Sequence, residues 1–391
     1  MVLNQPVHLK RSRRLLHGHL WIFSNEIHEN LKTYTPGCIV GVYDHRNTFL
    51  GTGYINPNSL IAVRLLSHER AVIDKEFLRR KILNAVRLRE KLIGSQDACR
   101  LIFSEGDYLP GLIVDKYLGS IVVQITTAGM EAMKAIILEL LVEVLQPDTV
   151  ILRNDGRSRL LEGLTLYKEI VMGEPGTRPV INEDGIKLEI DSFEGQKTGF
   201  FLDQRENRGA FKKIAGTGRG LDLFCYNGAW SLALALSGAE MTGVDVSERS
   251  VVEARKNAEL NGLQDRARFV SRDVFDYLKQ ELQERSGRYD FIVCDPPAFV
   301  KTAAKIKEAV RAYTDLNASC MRLIRPGGLL ATSSCSYHLK KDMFIDMLLA
   351  AARDARRSLR LISLRSQAMD HPVLLAMPET EYLKCAFLVV D

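Results

Sequence analysis

The sequence lacks three features that would assign it to a class at once: a large net charge, closely spaced cysteine pairs and a long apolar run. Its 53 Lys and Arg residues exceed its 48 Asp and Glu residues by only five. So small an excess does not hold a polyanion by bulk charge, and a nucleic-acid partner would have to be bound by local basic patches. No uncharged apolar run reaches the roughly 18 residues that a membrane span needs. We therefore expect no membrane association.

The seven cysteines are an odd number, and no two of them have the Cys-x-x-Cys spacing. That pattern favours neither a disulfide framework nor a structural zinc site. We expect no metal in the protein and a reducing, cytoplasmic location. The basic start of the chain is followed by a short stretch, residues 15–23, which histidines interrupt and which is no signal-peptide core.

Length and composition indicate two or three domains of the ordinary globular type. The chain has 391 residues, 46% hydrophobic and 26% charged, and a domain takes roughly 150 residues. Short strands separated by turn residues predict a small β-barrel over residues 1–72. Apolar residues at helical spacing from Asp74 to Gly94 predict a linker helix, which opens a central α/β domain over residues 73–180. Residues 181–391 form the third predicted domain.

In residues 181–391, apolar strands alternate with helical or loop segments. The alternation implies right-handed crossovers and a mostly parallel sheet that helices cover on both faces. Ligands bind such sheets beyond the carboxyl ends of the strands. The predicted strands are residues 220–224, 241–246, 267–270, 289–295 and 328–334.

Three of these strand ends carry residues that suit a nucleoside. A small-residue loop that ends at Gly228 follows the first strand and lets a ligand approach the backbone at a helix N-terminus. Asp245 ends the second strand, where a carboxylate accepts hydrogen bonds from both hydroxyls of a ribose. Asp273 follows the third strand and is placed to meet the exocyclic amine of a purine. A lone aspartate at such a position is more often a helix cap than a ligand, but several in this order favour binding.

The fourth strand ends in Asp295-Pro296-Pro297-Ala298-Phe299. Two consecutive prolines cannot continue a central strand, and they stiffen the backbone. We expect this segment to present its carbonyl oxygens and the Asp295 carboxylate rigidly to a ligand.

Taken in order, Asp222-Leu-Phe-Cys-Tyr-Asn-Gly228, Val244-Asp245, Arg272-Asp273 and Asp295-Pro-Pro resemble the class I S-adenosylmethionine (SAM)-dependent methyltransferases. Three further segments narrow the resemblance to the bacterial and archaeal ribosomal RNA cytosine-5 methyltransferases that carry an N-terminal PUA domain. The longest and most specific is Gln196-Lys-Thr-Gly-Phe-Phe-Leu-Asp-Gln-Arg205. The other two are residues 100–115 and 333–336. The resemblance spans essentially the whole chain.

The resemblance implies an α/β protein with a PUA barrel at residues 1–72, a small central domain and a C-terminal Rossmann-like methyltransferase domain. It implies SAM as the cofactor and ribosomal RNA, of the 23S type, or a pre-ribosomal particle as the partner, and it leaves a homodimer open. The residues that it implies for cofactor binding are Gln204, Arg205, Phe224, Tyr226, Asn227, Gly228, Asp245, Asp273 and Asp295.

Methylation of cytosine C5 would need a nucleophile, because this carbon does not attack a sulfonium methyl group unaided. A thiolate that adds to C6 turns the ring into an enamine with a reactive C5. Cys335 suits this role, since it lies just past a strand end among small polar residues. Asp295 would accept a hydrogen bond from the cytosine amine. Pro296 and Pro297 would fix the ring through their carbonyls, and Phe299 would stack or pack beside it.

Other reactions stay open on the sequence alone. Ala298 stands where two-cysteine enzymes of this kind carry their second cysteine, so the base that removes the C5 proton is not identified. The alternatives are methylation of uracil C5 or guanine N7, and a non-catalytic RNA-binding assembly protein on the same scaffold. Cys335 argues against guanine N7, because that reaction needs no nucleophile.

The N-terminal residues form a candidate RNA contact. Four basic residues lie near Trp21 and Phe23, which suits contact with the RNA backbone together with base stacking. A solvated strand edge explains the same pattern about equally well without the family resemblance. The four residues are Lys10, Arg11, Arg13 and Arg14.

Overall fold

The computed structural model describes residues 4–174, 176–284, 288–299 and 305–391. Within them the chain forms two compact units. One comprises residues up to 181 with segments 190–202 and 369–380, and the other comprises segments 182–189, 203–368 and 381–391. The predicted division into three domains stays a prediction.

The first unit begins with a five-stranded sheet in the order β1-β3-β4-β5-β2. Strand β1 is parallel to β3 and the other pairs are antiparallel. An antiparallel bridge between Leu9 and Ile27 joins the two edge strands beyond their ends, so the sheet closes on itself. The elements are β1 (Asn4–His8), α1 (Arg13–Leu16), β2 (Trp21–Phe23), β3 (Ile39–Tyr43), β4 (Phe49–Ile55) and β5 (Ile61–Ser67).

The predicted helix after Asp74 is confirmed as α2 (Lys75–Ile93). The Asp74 carboxylate caps it by accepting the Phe77 N–H at 2.8 Å, and Gly94 ends it at a φ of 63°. The prediction of a linker was wrong in one respect. The helix buries an apolar face, including Phe77 and Ile82, in the core of the following sheet.

A second five-stranded sheet follows, in the order β10-β9-β8-β7-β6. Strands β8 and β9 are parallel, and the other neighbours are antiparallel. Two further helices cover it together with α2, and Met130, Met133 and Ile137, which lie in these two helices or between them, are buried in the core. The elements are β6 (Ala98–Phe103), β7 (Leu112–Tyr117), β8 (Ser120–Ile125), α3 (Ala128–Ala132), α4 (Lys134–Leu145), β9 (Thr149–Asn154) and β10 (Tyr167–Met172).

The second unit contains a seven-stranded sheet in the order β15-β14-β13-β16-β17-β19-β18. Two short strands, β11 (Val180–Glu183) and β12 (Ile186–Glu189), precede it as a sheet of their own. The strands of the large sheet are β13 (Arg219–Leu223), β14 (Glu240–Asp245), β15 (Ala267–Ser271), β16 (Tyr289–Cys294), β17 (Ile324–Ser334), β18 (Leu359–Arg365) and β19 (Lys384–Val390).

The five predicted strands are confirmed as β13 to β17, all parallel to their neighbours among the five. The sequence did not predict β18 and β19, which add antiparallel strands at one edge. The fourth strand ends at Cys294, one residue earlier than predicted. The helices are α5 (Arg205–Ala215), α6 (Ala229–Ala235), α7 (Glu248–Leu260), α8 (Val274–Glu284), α9 (Ile306–Leu323) and α10 (Lys341–Ala355).

A buried ion pair generates a stability prediction for the first unit. The Arg89 side chain, on α2, is 2% exposed and donates from Nη2 to Asp107 Oδ2 at 2.7 Å and to the Asp370 carbonyl at 2.8 Å. The Arg89→Met substitution leaves the Asp107 carboxylate buried without its cation, so we expect a loss of about 3–5 kcal/mol in the free energy of unfolding.

The control is Arg79→Met on the same helix, because Arg79 pairs with the exposed Glu143. Surface pairs contribute little. Urea unfolding of both variants measures the difference, and equal midpoints would show that the Arg89 pair does not stabilise the fold.

Candidate active site at the carboxyl ends of the parallel strands

The register of the sheet brings the predicted strand-end residues to one edge. Leu223 pairs with Val244 on one side and with Cys294 on the other, and Cys294 pairs with Thr332. The residues that directly follow these positions, namely Phe224, Asp245, Asp295 and Ser333, therefore lie side by side. Cys335 comes two residues after Ser333, just past the end of β17.

The loop between β13 and α6 has a tightly folded backbone. Phe224 and Tyr226 have φ angles of 64° and 49°, in the left-handed region that few residues other than glycine adopt. Gly228 has a φ of 85°, and a Cβ there would lie 2.8 Å from the Phe269 ring. Position 228 therefore needs glycine because of its φ angle and the nearby Phe269 ring, and the predicted close approach of a ligand stays a prediction. The Asn227 carbonyl is occupied, since it accepts a hydrogen bond from the Asn257 amide.

Asp245 holds this loop in place. Its Oδ2 accepts the Tyr226 N–H at 3.0 Å and its Oδ1 accepts the Ser247 N–H at 2.9 Å. A carboxylate oxygen has two acceptor positions. Each oxygen can therefore keep its backbone bond and accept a ligand hydroxyl as well.

Asp222, which lies in one of the sequence motifs but received no predicted role, is a candidate site residue. It is fully buried, and its Oδ2 accepts the Ser231 N–H at 3.0 Å and the Ser231 hydroxyl at 2.7 Å. Its Oδ1 is buried and makes no hydrogen bond within the described part of the chain. Burial raises the pKa of Asp222 to about 7, and the charges of Asp295 and Asp245 add to this shift. Such an oxygen is suited to accept a hydrogen bond from a cationic ligand.

Asp273 is exposed and acts as a helix cap. Its Oδ1 accepts the Phe275 N–H at 2.8 Å and the Asp276 N–H at 3.2 Å, at the start of α8. This is the alternative that the sequence analysis named for a lone strand-end aspartate. Its predicted contact with a purine amine stays a prediction.

Gln204 contacts Asp295, and its predicted role in cofactor binding stays a prediction. The Gln204 side chain is buried, and its Nε2 donates to Asp295 Oδ2 at 3.0 Å and to Ser333 Oγ at 3.1 Å. Asn207 fixes the amide by donating to its Oε1 at 2.7 Å. Gln204 thereby connects the Asp295 segment to the end of β17. Arg205 is also buried, at the first position of α5.

Tyr313 makes a second connection that the sequence analysis missed. Its ring is buried on α9, and its hydroxyl lies 3.1 Å from Ser336 Oγ and 3.2 Å from Ser334 Oγ. The same hydroxyl lies 3.5 Å from the Pro297 carbonyl oxygen and from the Phe299 nitrogen. One side chain thus contacts both the proline segment and the residues on either side of Cys335.

Phe299 packs against other aromatic rings. Its ring centroid lies 4.6 Å from that of Tyr313, 6.2 Å from that of Phe275 and 6.4 Å from that of Phe224. Phe299 thus packs against protein side chains, and its predicted stacking or packing beside a base stays a prediction. In the same segment Pro296 is buried and Pro297 is exposed.

Cys335 differs from the other cysteines of residues 181–391 in its exposure. It is partly exposed just after β17, whereas Cys225, Cys294, Cys320 and Cys385 are buried. Burial raises the pKa of Cys385 to about 12 and that of Cys225 well above its ordinary value. Cys225 and Cys385 therefore stay protonated, and all four buried thiols are inaccessible, so Cys335 is the thiol of this group suited to nucleophilic attack.

The basic N-terminal residues fall into two groups. Lys10, Arg11 and Arg13 are exposed. Arg14 is partly buried: its Nη2 donates to Glu26 Oε2 at 2.8 Å, and its guanidinium carbon lies 4.8 Å from the Phe23 ring centroid. Arg14 therefore has a structural role, and the RNA contact predicted for all four residues remains a prediction.

Membrane spans and metal clusters are both absent from the described residues. None of their helices is both long and apolar enough to cross a membrane. No group of three or more His, Cys, Asp or Glu side chains in this part of the chain is arranged to hold a metal ion.

Comparisons with known proteins agree with this arrangement. The profile of the PUA-like domain matches residues 7–68, and that of the S-adenosylmethionine-dependent methyltransferases matches residues 163–373. The chain is 36% identical over 383 residues to the ribosomal RNA large subunit methyltransferase I of Pseudoalteromonas atlantica, covering 97% of each chain. It is 37% identical over 382 residues to the protein of that name in Shewanella denitrificans, covering 96% of each.

A solved structure shares the whole fold. The crystal structure of SMU.776 in complex with S-adenosylhomocysteine (SAH) superposes with a TM-score of 0.85 at 22% identity, covering 99% of this chain and 100% of that one. The fold predicted from the sequence is therefore confirmed, with a PUA-like domain and a C-terminal methyltransferase domain, and the cofactor is SAM. The chain belongs to the family of SAM-dependent ribosomal RNA large-subunit methyltransferases that carry a PUA-like domain.

Proposed function

We propose that this protein transfers a methyl group from SAM to C5 of a cytosine in large-subunit ribosomal RNA through a covalent bond between Cys335 and C6. The observation that carries the proposal is the placement of Cys335. It is the partly exposed thiol of the methyltransferase domain, and Tyr313 connects the serines on either side of it to the Pro297–Phe299 segment. The names of the relatives support the ribosomal RNA substrate.

The reaction divides into two steps that balance. The Cys335 thiolate adds to C6, and the electron pair of the C5–C6 double bond forms the new bond from C5 to the methyl carbon. SAM supplies the methyl group and leaves as S-adenosylhomocysteine. A base then removes the C5 proton, the double bond re-forms, and the C6–S bond breaks to release the thiolate. A reducing, cytoplasmic compartment suits this chemistry, because an oxidised sulfur cannot add to C6.

Asp295 provides the means to distinguish cytosine from uracil. A carboxylate accepts a hydrogen bond from the cytosine N4 amine, whereas uracil presents a carbonyl oxygen there and would be repelled. Gln204 fixes the orientation of the Asp295 carboxylate through its hydrogen bond to Oδ2. Pro296 and Pro297 stiffen the segment, and their carbonyls hold the ring edge.

The cofactor fits the acidic side of the site. The buried Asp222 Oδ1 would accept a hydrogen bond from the amino group of SAM, and the Asp245 carboxylate would accept hydrogen bonds from the ribose hydroxyls. Phe224, Tyr226 and Gly228 form a tight loop, and this loop would line the cofactor site. Asp273, Asn227 and Arg205 would complete the cofactor site.

The substrate form follows from the mechanism. Attack on C6 comes from the face of the base, so the cytosine must be unstacked and placed in the site. Single-stranded or looped RNA meets this requirement at the lowest cost. The exposed residues Lys10, Arg11 and Arg13 would contact its phosphates.

The Cys335→Ser substitution tests the covalent mechanism. We expect transfer of labelled methyl groups to ribosomal RNA to fall by at least about a thousandfold, because a serine hydroxyl is not ionised at neutral pH. The affinity for SAM, measured by calorimetry, should stay within about twofold. Nucleoside mass spectrometry of the RNA methylated by the unaltered protein should show 5-methylcytidine.

The matched control is Cys38→Ser, because Cys38 is also partly exposed but lies outside the methyltransferase domain. Undiminished turnover by the Cys335 variant would refute the covalent mechanism. A methylated uridine or guanosine would identify a different target atom. Binding of SAM by the unaltered protein, without any transfer of methyl groups to RNA, would favour the non-catalytic alternative.

The raised pKa of Asp222 predicts that SAM binding depends on pH. Below pH 7 the free protein holds a proton on Asp222, which must leave before the carboxylate can pair with the SAM ammonium group. Affinity should therefore rise roughly tenfold between pH 5.5 and pH 7, where the amine itself stays protonated. Calorimetry at several pH values measures this rise, and Asp222→Asn should bind weakly with a flat profile. An equally steep profile in the variant would assign the dependence to another group.

Replacing Lys10, Arg11 and Arg13 with Gln tests the predicted RNA contact. For every phosphate that the variant no longer neutralises, the slope of log affinity against log salt should fall by about 0.7 for single-stranded RNA. Filter binding over a salt series measures the slope. Replacing three other exposed basic residues of the same unit with Gln, namely Lys32, Arg46 and Lys91, removes the same charge. Equal slopes for the two triple variants would show that the N-terminal residues make no specific contact.

A further inference from the structure

Lys384, which has no role in the mechanism proposed above, lies beside the candidate nucleophile Cys335. It is the first residue of β19, and its Cα pairs with that of Ser334, the residue before Cys335. Only 8% of Lys384 is exposed. A buried lysine needs partners, because the transfer of an ammonium group out of water is costly.

The partners of Lys384 fix it at the end of β17. Its Nζ donates to the Ser336 carbonyl at 2.7 Å and to the Tyr382 carbonyl at 2.8 Å. Ser336 follows Cys335 directly and Ser334 precedes it. The ammonium group therefore binds the carbonyl on one side of Cys335, and the Lys384 backbone pairs with the residue on the other side. Both of these partners are neutral carbonyls, so neither of them neutralises the positive charge.

The charges around Lys384 agree with this placement. Burial lowers the pKa of Lys384 to about 8, and the negative charge of a Cys335 thiolate acts in the opposite direction. Lys340 adds to the lowering, whereas Glu381 opposes it. On the other side of Cys335, burial raises the pKa of Tyr313, so that its hydroxyl stays neutral and adds no charge.

We propose that Lys384 is a positioning residue that stabilises the thiolate form of Cys335. It also fixes the Ser336 peptide, on which the orientation of the Cys335 sulfur depends. The inference rests on the proposed function, since a thiolate is what addition to C6 requires. Lys384 forms and breaks no covalent bond in this role. The thiol proton goes to water, and the ammonium group stabilises the anion that remains.

The experiment measures thiol ionisation in the full-length protein without RNA. Iodoacetamide alkylates thiolates, so the rate of Cys335 alkylation as a function of pH reports the fraction ionised. Peptide mass spectrometry separates Cys335 from the other cysteines, and the partly exposed Cys38 serves as an internal reference. The variants are Lys384→Met, Lys384→Gln and Lys384→Arg.

The three variants separate charge from hydrogen bonding. Met removes both, Gln keeps donors without charge, and Arg keeps the charge. We expect the pH of half-maximal alkylation to rise by about one unit in the Met and Gln variants and to stay near its original value in the Arg variant. The matched control, Lys340→Met, removes an exposed charge nearby and should shift the midpoint by much less.

An unchanged midpoint in the Met and Gln variants would overturn the inference, and so would an equal rise in the Arg variant. If one variant unfolds, its buried cysteines become alkylated as well. The variants that stay folded then decide whether the inference holds. Failure of the proposed function gives a different result: the midpoint shifts as expected, but the RNA carries no 5-methylcytidine.

Discussion

The candidate active site depends on the hydrogen bonds that join the segment after β16 to the end of β17. Gln204 donates to both Asp295 and Ser333, and the Tyr313 hydroxyl lies within 3.5 Å of atoms on both sides. These two segments are 40 residues apart in the chain, and parallel pairing alone fixes only their strands. A base bound by Asp295 can be attacked by Cys335 only if the two segments keep a constant separation.

The site also separates charges of opposite sign. Asp222, Asp245 and Asp295 gather on the side of β13, β14 and β16. Burial raises the pKa of Asp222, and the charges of Asp295 and Asp245 add to this shift. That field favours a cationic methyl donor and is relieved when one binds. Lys384 supplies the opposite charge at the end of β17, where the proposed mechanism needs an anionic sulfur. The neutral Tyr313 hydroxyl contacts both the Pro297–Phe299 segment and the end of β17, and it adds no charge to either.

The sequence predicted those features that local pattern determines. Helical spacing and capping residues located α2 to within one residue at each end, and apolar runs that alternate with helical or loop segments located β13 to β17. Partners distant in sequence were not predictable. In the sequence, Tyr313 is indistinguishable from any other aromatic residue on an amphipathic helix. Lys384 has the pattern of a solvated surface charge, and its burial becomes apparent only from the pairing of β19 with β17. Gln204 was named from the family resemblance, but its contact with Asp295 joins residues 91 positions apart.

The most direct test of the central claim is to trap the bond between Cys335 and the RNA. An RNA substrate with 5-fluorocytidine at the target position has no C5 proton to lose, so the adduct cannot break down after methyl transfer. We predict that digestion and mass spectrometry recover one nucleotide linked to the peptide that contains Cys335, and only when SAM is present. Methyl transfer to RNA without any adduct, or an adduct on a different cysteine, would contradict the account.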